Sequence, residues 1–379
     1  MTIPKRTKGL VQQIEESANK KMDIEKKDID PNMLVPSGLT LLNLACSDTP
    51  FGAYHLGKIV TMPGSSQSGK TLLALNVFAE TALDSRFDKY ELVLDDVEES
   101  CEFDIEYLFG ETAAERIIAP EYDGEIPIYS DTIQDFQSSI LRRCKQKNPK
   151  SFIWVLDSLD ALTSDEELEK EYRAALARAK SAEAVDAIKG SYKTEKAKII
   201  GQVLRMVKAE LKATNSLLLI IQQIRSKIGV VFGKQTTTSG GYAPYFYSTH
   251  QVWLTKTGQI GEKGRKIGTK VQAEITKNKL TGKDRSFDFE VYYDYGVDDV
   301  GSMIDFLISE KFLDNDRDAN GKIKANTYVI PELKLTGTKN ALKDAIRKDQ
   351  DLVEPIQQLC GDCWVQIEEN LRLGWQPRY

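Results

Sequence analysis

Eight residues constrain this chain more than any others: Gly64-Ser65-Ser66-Gln67-Ser68-Gly69-Lys70-Thr71, directly after the apolar run KIVTM and directly before the helical pattern TLLALNVF. This is a complete G-x-x-x-x-G-K-[ST] in the strand-loop-helix setting that gives the pattern meaning. Glycines let the backbone amides curl around an anion, and the helix N-terminus adds its partial positive charge. Lys70 then meets the terminal phosphates of a nucleotide, and the Thr71 hydroxyl ligates Mg²⁺. A Ser/Gly-rich turn with a chance lysine would carry the same letters, but not both flanking elements. Gly64, Ser65, Ser66, Gln67, Ser68, Gly69, Lys70, Thr71 and Leu72 are the candidate nucleotide-binding residues.

Around that loop one pattern repeats. Aliphatic and β-branched runs (GKIVTMPG, YELVLDD, SFIWVLDS, SLLLIIQQI) alternate with helical stretches such as TLLALNVFAETAL and TIQDFQSSILRRCKQ. Continuous apolar runs predict strands buried on both faces, and β-α-β-α order predicts a mostly parallel sheet with helices on each side. KVQAEITKNKL and SFDFEVYYDYG alternate polar with apolar residues, which predicts an antiparallel extension. Residues 164–213 are rich in Ala, Glu, Lys and Arg and lack proline, the composition of a long helical excursion or hairpin. Leu10, Ile14, Ala18 and Met22 recur every four residues and predict an N-terminal helix that docks on the core or on a neighbouring subunit. The turn-rich DNDRDANGK and the helical pattern after it predict a small C-terminal domain. The expected organisation is an N-terminal helix and oligomerisation arm over 1–35, an α/β core over 36–308 and an α/β C-terminal domain over 309–379.

The composition permits this and excludes much else. With 51 Lys and Arg against 57 Asp and Glu the net charge is −6, and 41% hydrophobic with 28% charged residues excludes wholesale disorder and collagen-like or disulfide-scaffold classes. Five cysteines, odd in number and mostly far apart, fit reduced thiols. No run approaches the roughly 18 apolar residues of a membrane span, and MTIPKRTKGL has no signal-peptide apolar core, so a cytoplasmic protein is expected.

Nucleotide hydrolysis also needs a carboxylate at the end of a buried strand to hold Mg²⁺, and Asp157 closes FIWVLD. A third strand, Leu92-Val93-Leu94, ends in Asp95-Asp96-Val97-Glu98-Glu99. Either one of these carboxylates orients water toward the γ-phosphate or the run is a solvated acidic loop.

Residues 222–250 contain Arg225, Lys227 and Lys234 and no Asp or Glu. Mobile glycines, cations for a phosphate backbone and apolar or aromatic side chains for unstacked bases fit a loop that meets single-stranded nucleic acid; a surface loop packed on itself is the alternative. Lys256, Lys263, Arg265, Lys266 and Lys270 read as a solvated hairpin face. Lys277 and Lys279 flank Asn278 in a strand, facing one each way or flanking a turn, where a pair of cations suits phosphates.

Taken in order, PSGLTLLNLA, GSSQSGKT, IWVLDSLDALT, QQIRSKIGVVFG, TTTSGGYAPYFYST and ITKNKL followed by FEVYYDYGVDDVGSMIDF resemble the RecA family of homologous-recombination ATPases, over roughly residues 8–310. The helical excursion and C-terminal region are similar to those of phage-encoded members. The resemblance implies a RecA-type core using ATP and Mg²⁺, with Lys70 on the phosphates, Thr71 and Asp157 on the metal, Glu98 as the carboxylate that activates water and Gln223 as the sensor of the γ-phosphate. It implies two DNA-binding loops, Arg225 to Phe232 and Thr236 to Phe246, with contacts from Arg225, Ser226, Lys227, Ile228, Gly229, Val230, Thr238, Ser239, Gly240, Gly241 and Phe246. In it Ile228 wedges between base triplets, Gly240 and Gly241 give amides to phosphates, and Lys277 and Lys279 complete a neighbouring subunit's ATP site. The implied partners are single-stranded DNA, homologous duplex DNA, further copies in a head-to-tail helical filament, and a loader or single-strand-binding protein; the implied place is the cytoplasm, that of a host if phage-encoded. Two positions depart from the family: Ile105 where a Tyr stacks on adenine, and Tyr245 where a Lys precedes Phe246.

The rivals are a RecA-fold helicase motor, which would unwind rather than pair strands, and a mediator without ATP turnover. Cys360 and Cys363 form a single C-x-x-C beside only two histidines, His55 and His250, and read as structural thiols. Asp316, Asp318, Asn320 and Gly321 copy half a calcium loop, but Thr327 stands at its twelfth position, so an Asn-Gly hairpin turn is expected.

Overall fold

The computed structural model describes residues 29–180, 192–226, 236–238, 240–318 and 320–371. The apolar stripe at Leu10 to Met22 lies outside them. From Pro31 onward the described residues belong to one unit of packing.

Strands β1 (Ile59–Gly64), β2 (Glu91–Asp96), β3 (Ile117–Ile118), β4 (Phe152–Asp157) and β5 (Leu217–Ser226) are parallel, in the spatial order β1-β5-β4-β2-β3. β1 and β4 are buried along their whole length, which is why they read as unbroken apolar runs. β6 (His250–Glu262) lies parallel to β1 on its other side, and β7 (Arg265–Asn278), β8 (Arg285–Tyr292) and β9 (Gly296–Val297) follow antiparallel. In β7 the pattern becomes one-sided: Val271, Ala273 and Ile275 are buried while Lys270, Gln272 and Glu274 face water.

Helices cover both faces. α1 (Thr40–Ser47) and α2 (Lys70–Leu83) lie on one side, α3 (Ile133–Cys144) and α5 (Tyr192–Ala213) on the other, with α4 (Asp165–Lys180) preceding α5. β5 shows how alternation builds both layers: Leu217, Leu219 and Ile221 pack with Leu73, Val77 and Phe78 of α2, whereas Leu218 and Ile220 pack with Phe136 of α3 and Val203 of α5. α3 starts at a capping box, the Thr132 side chain accepting from the Asp135 amide and the Asp135 carboxylate from that of Thr132. The helical excursion is α4 and α5; residues 181–191 fall outside the described set. None of the described helices is long and apolar enough to cross a membrane.

After α6 (Asp299–Ser309) come an antiparallel sheet, β10 (Asp314–Arg317), β11 (Ile323–Ile330) and β12 (Leu335–Thr338), and two helices, α7 (Lys339–Lys348) and α8 (Val353–Asn370). Gly321, at φ +78°, turns β10 into β11 while the Asp318 carboxylate accepts from the amides of Asn320 and Lys322, so the half calcium loop is a hairpin turn. Cys360 and Cys363 lie buried on α8 with free thiols. These elements share a hydrophobic core with α1 and α6: Leu41 and Leu44 pack with Met303, Ile304, Ile356 and Cys360. Arg285, with 8% of its side chain exposed, joins the same parts by pairing with Asp48 at 2.5 Å and Glu368 at 2.7 Å while lying over the Trp364 ring.

Candidate functional site

The 64–71 loop leaves the buried end of β1 and enters α2. Gly64 is required by space, since a Cβ there would lie 2.6 Å from Ser68 Oγ and 2.8 Å from the Leu254 carbonyl oxygen. Gly69, at φ +79°, supplies the left-handed residue that opens the helix. Lys70 is buried, and its Nζ donates to the Ser65 carbonyl at 2.8 Å. Burial lowers its pKa, opposed by the nearby carboxylates of Asp157, Glu98 and Asp160. Thr71 Oγ1 donates to Asp157 Oδ2 at 2.5 Å. Burial pushes the Asp157 carboxyl up to about 6, against the Thr71 hydrogen bond, with Glu98 and Asp96 raising it further. A hydroxyl and a carboxylate in contact, beside a phosphate-loop sequence, are the hard oxygen donors that suit Mg²⁺.

Register then sorts the four carboxylates after Leu94. β2 pairs with β4 so that Asp96 stands opposite Asp157. Asp95 accepts from the Ser130 amide and hydroxyl at 3.0 and 2.8 Å, and Asp96 from the amides of Ser100 and Cys101, so both brace the surrounding chain. Glu99 is exposed at φ +48°. Glu98 turns inward: Ser158 Oγ donates to its Oε1, and Gln223 Nε2 donates to Oε1 at 2.9 Å and Oε2 at 3.2 Å. Gln223 reaches it because β5 ends level with the phosphate loop, Gly64 pairing with Gln223.

A cavity of 550 Å³ opens beside Gln67, Lys70 and Thr71, and its wall includes Phe103, Tyr292 and Tyr293. Reading the sequence missed these aromatics. Phe103 follows Glu98 by five residues rather than the seven that separate Ile105 from it, and the tyrosines arrive from β8 and its end, two strands beyond the one beside β1. Such rings give a planar base a surface to stack on.

The acid-free stretch is described in part. Arg225 and Ser226 extend β5 and pair with Thr236–Thr238, Thr238 standing opposite Ile224. Lys227, Ile228, Gly229, Val230 and Ser239 lie outside the described residues. Gly240 and Gly241 have φ +80° and +65°, and a Cβ at Gly240 would lie 2.9 Å from Pro244 and 3.2 Å from Leu159, so packing alone already demands glycine there. Phe246, 55% exposed, sits on a short helix, Ala243–Tyr247.

Lys277 and Lys279 do not face opposite ways. Lys277 lies near the end of β7 and Lys279 in the turn just past it; Asn278 between them turns inward to donate to the carbonyls of Ala45 and Cys46 while both lysines meet the C-terminal end of the short helix. Lys277 Nζ donates to the carbonyls of Tyr245 and Phe246, and Lys279 Nζ to that of Phe246 at 3.4 Å. Burial, with Lys279 adding to it, lowers the Lys277 pKa to about 8. Both Lys277 and Thr61 stand opposite Gln251, three residues short of the Gly64 end of β1, about 10 Å along the strand from the chain's own phosphate loop.

A large, mostly parallel sheet flanked by helices makes this an α/β protein, and the phosphate-loop sequence lies where its first strand meets a helix. Residues 150–298 match the family model of the RecA N-terminal domain. The matched stretch contains Asp157, Gln223, the acid-free segment, Lys277 and Lys279; the phosphate loop and Glu98 precede it.

Proposed function

We propose that the protein is an ATP- and Mg²⁺-dependent DNA recombinase that polymerises on single-stranded DNA, pairs it with homologous duplex and hydrolyses ATP between neighbouring subunits. The observation that carries this reading is the Gln223–Glu98 hydrogen bond, which ties a carboxylate beside the phosphate loop to the strand that runs on into the acid-free segment. The match of residues 150–298 to the RecA N-terminal domain supports a DNA-directed ATPase.

In this reading Lys70 and the loop amides bind the phosphates, and Phe103, Tyr292 and Tyr293 stack on the base. Thr71 and Asp157 would hold Mg²⁺, which supplies charge neutralisation on the phosphate oxygens. Glu98 accepts the proton of the attacking water, and Gln223 leaves Glu98 for the γ-phosphate, carrying nucleotide state into β5. Cations of the acid-free segment meet the DNA backbone, leaving base pairing to read sequence. The position of Lys277 and Lys279, remote from the chain's own loop, supports their service to a neighbour's site. A strand-pairing assay with a supercoiled duplex and homologous single strand, run with ATP and with a non-hydrolysable analogue, tests the proposal. Joint molecules are expected with both nucleotides; unwinding without pairing would make the protein a motor instead.

A further inference from the structure

We propose that Asp160 is a positioning residue for hydrolysis, holding the Gln223 main chain so that its side chain is aimed at Glu98; this rests on the roles given to Glu98 and Gln223 above. The geometry comes from two strands of unequal length. β4 stops at Asp157, its last pairing with β5 being Leu156 with Ile220, whereas β5 runs on to Ser226. The Leu159 amide still donates to the Ile221 carbonyl at 3.1 Å, and then the chain turns away, the Ala161 amide donating back to Ser158. At that point Asp160 Oδ2 accepts from the Gln223 amide at 2.7 Å. The carboxylate takes the place of the strand acceptor that β4 no longer offers.

The same turn holds the other half of the pair, because the Ser158 hydroxyl donates to Glu98. Two residues apart in sequence thus restrain both members of the Glu98–Gln223 hydrogen bond. The turn is fastened in its own right: Lys196 Nζ, from α5, donates to the carbonyls of Asp160 and Leu162. It also touches the second half of the acid-free segment, since a Cβ at Gly240 would lie 3.2 Å from Leu159 Cδ2 and 3.3 Å from Ile200 Cδ1. A shift of the Gly240 segment therefore presses on the turn that aims Gln223. A charged acceptor makes the stronger hydrogen bond to an N–H, and a long side chain amplifies any movement of its own Cα, so loss of the clamp misaims Gln223.

The test uses the full chain with single-stranded DNA. Asp160→Ala should lower kcat for DNA-dependent ATP hydrolysis about tenfold with KM for ATP held within about twofold, the mark of lost positioning rather than lost binding. Hydrogen exchange at the Gln223 amide should quicken in the same variant. Asp160→Asn keeps an acceptor oxygen and should recover most of both effects. Asp160→Ser keeps a polar, turn-forming side chain too short to reach the amide, and must reproduce the slow phenotype even if the Ala variant is poorly folded. Wild-type kcat in Asp160→Ser, an unchanged Gln223 amide in a slow variant, or no recovery by Asp160→Asn would each overturn the proposal. Lys70→Ala is run beside them: if that variant hydrolyses ATP normally, the reading of the phosphate site has failed rather than the clamp.

Discussion

Glu98 and Glu99 are adjacent, chemically identical and opposite in circumstance. One is bonded to Ser158 and Gln223, the other stands in water with a left-handed backbone. Glu98→Gln should keep nucleotide and single-stranded DNA binding while hydrolysis falls by about a hundredfold or more, the scale of general-base loss. Glu99→Gln should leave the rate within about twofold, and steady-state turnover of both variants decides between the registers. His250 offers a residue-scale test of a different kind. Its buried ring donates from Nε2 to the Cys46 carbonyl, and burial lowers its pKa from 6.5 to about 4. Between those values the unfolded chain binds the proton and the folded chain does not, so this contribution to stability is complete above about pH 6.5 and is lost as the pH falls toward 4, about 3 kcal/mol in all. Urea unfolding at pH 5 and pH 7 should show a smaller acid-induced loss in His250→Asn than in the wild type; equal losses would refute the assignment.

Among the elements, the join of α8 to the core is the most exacting. Arg285 sits between Asp48 after α1, Glu368 on α8 and the Trp364 ring, and it also donates to the carbonyls of Leu44 and Ala45. Removing one partner from a buried ion cluster leaves uncompensated charge, so Arg285→Ala should cost about 3–5 kcal/mol in chemical denaturation. Arg285→Lys should recover little of this, because an ammonium cannot serve two carboxylates and two carbonyls while stacked on an indole. A loss below about 1 kcal/mol for Arg285→Ala would show the join to be held by its apolar contacts instead. The element that joins the candidate site to both helical layers is β5, whose alternate residues feed both layers and whose end carries Gln223 to Glu98.

For the whole molecule the question is whether one chain contains a complete site. Lys277 and Lys279 cap a short helix well away from their own phosphate loop. If they complete a neighbour's site, the interface is heterologous and builds an open helix. The Lys277→Ala/Lys279→Ala double variant and Lys70→Ala should then each hydrolyse ATP poorly. An equal mixture would give about one interface in four a sound phosphate loop from one chain and sound lysines from the next, restoring about a quarter of wild-type DNA-dependent activity. With co-assembly confirmed by labelled subunits, no recovery at any mixing ratio would return the lysines to their own chain.

Local physics made the strand-loop-helix around residues 64–71, the parallel strands and the antiparallel extension legible without coordinates. A Gly-rich anion loop needs its flanking strand and helix beside it in sequence, and burial on two faces or one writes itself into continuous or alternating apolar patterns. Which of four carboxylates turns inward to Ser158 and Gln223 was open on the residues alone, because Asp95, Asp96, Glu98 and Glu99 differ only in what the neighbouring strands bring to them. Phe103 and the tyrosines of β8, the Asp160 clamp on Gln223 and the packing that requires Gly240 were invisible for the same reason. Each depends on contacts between strands and helices distant in sequence, whose relative level is set by how far β4 and β5 each run before burial ends.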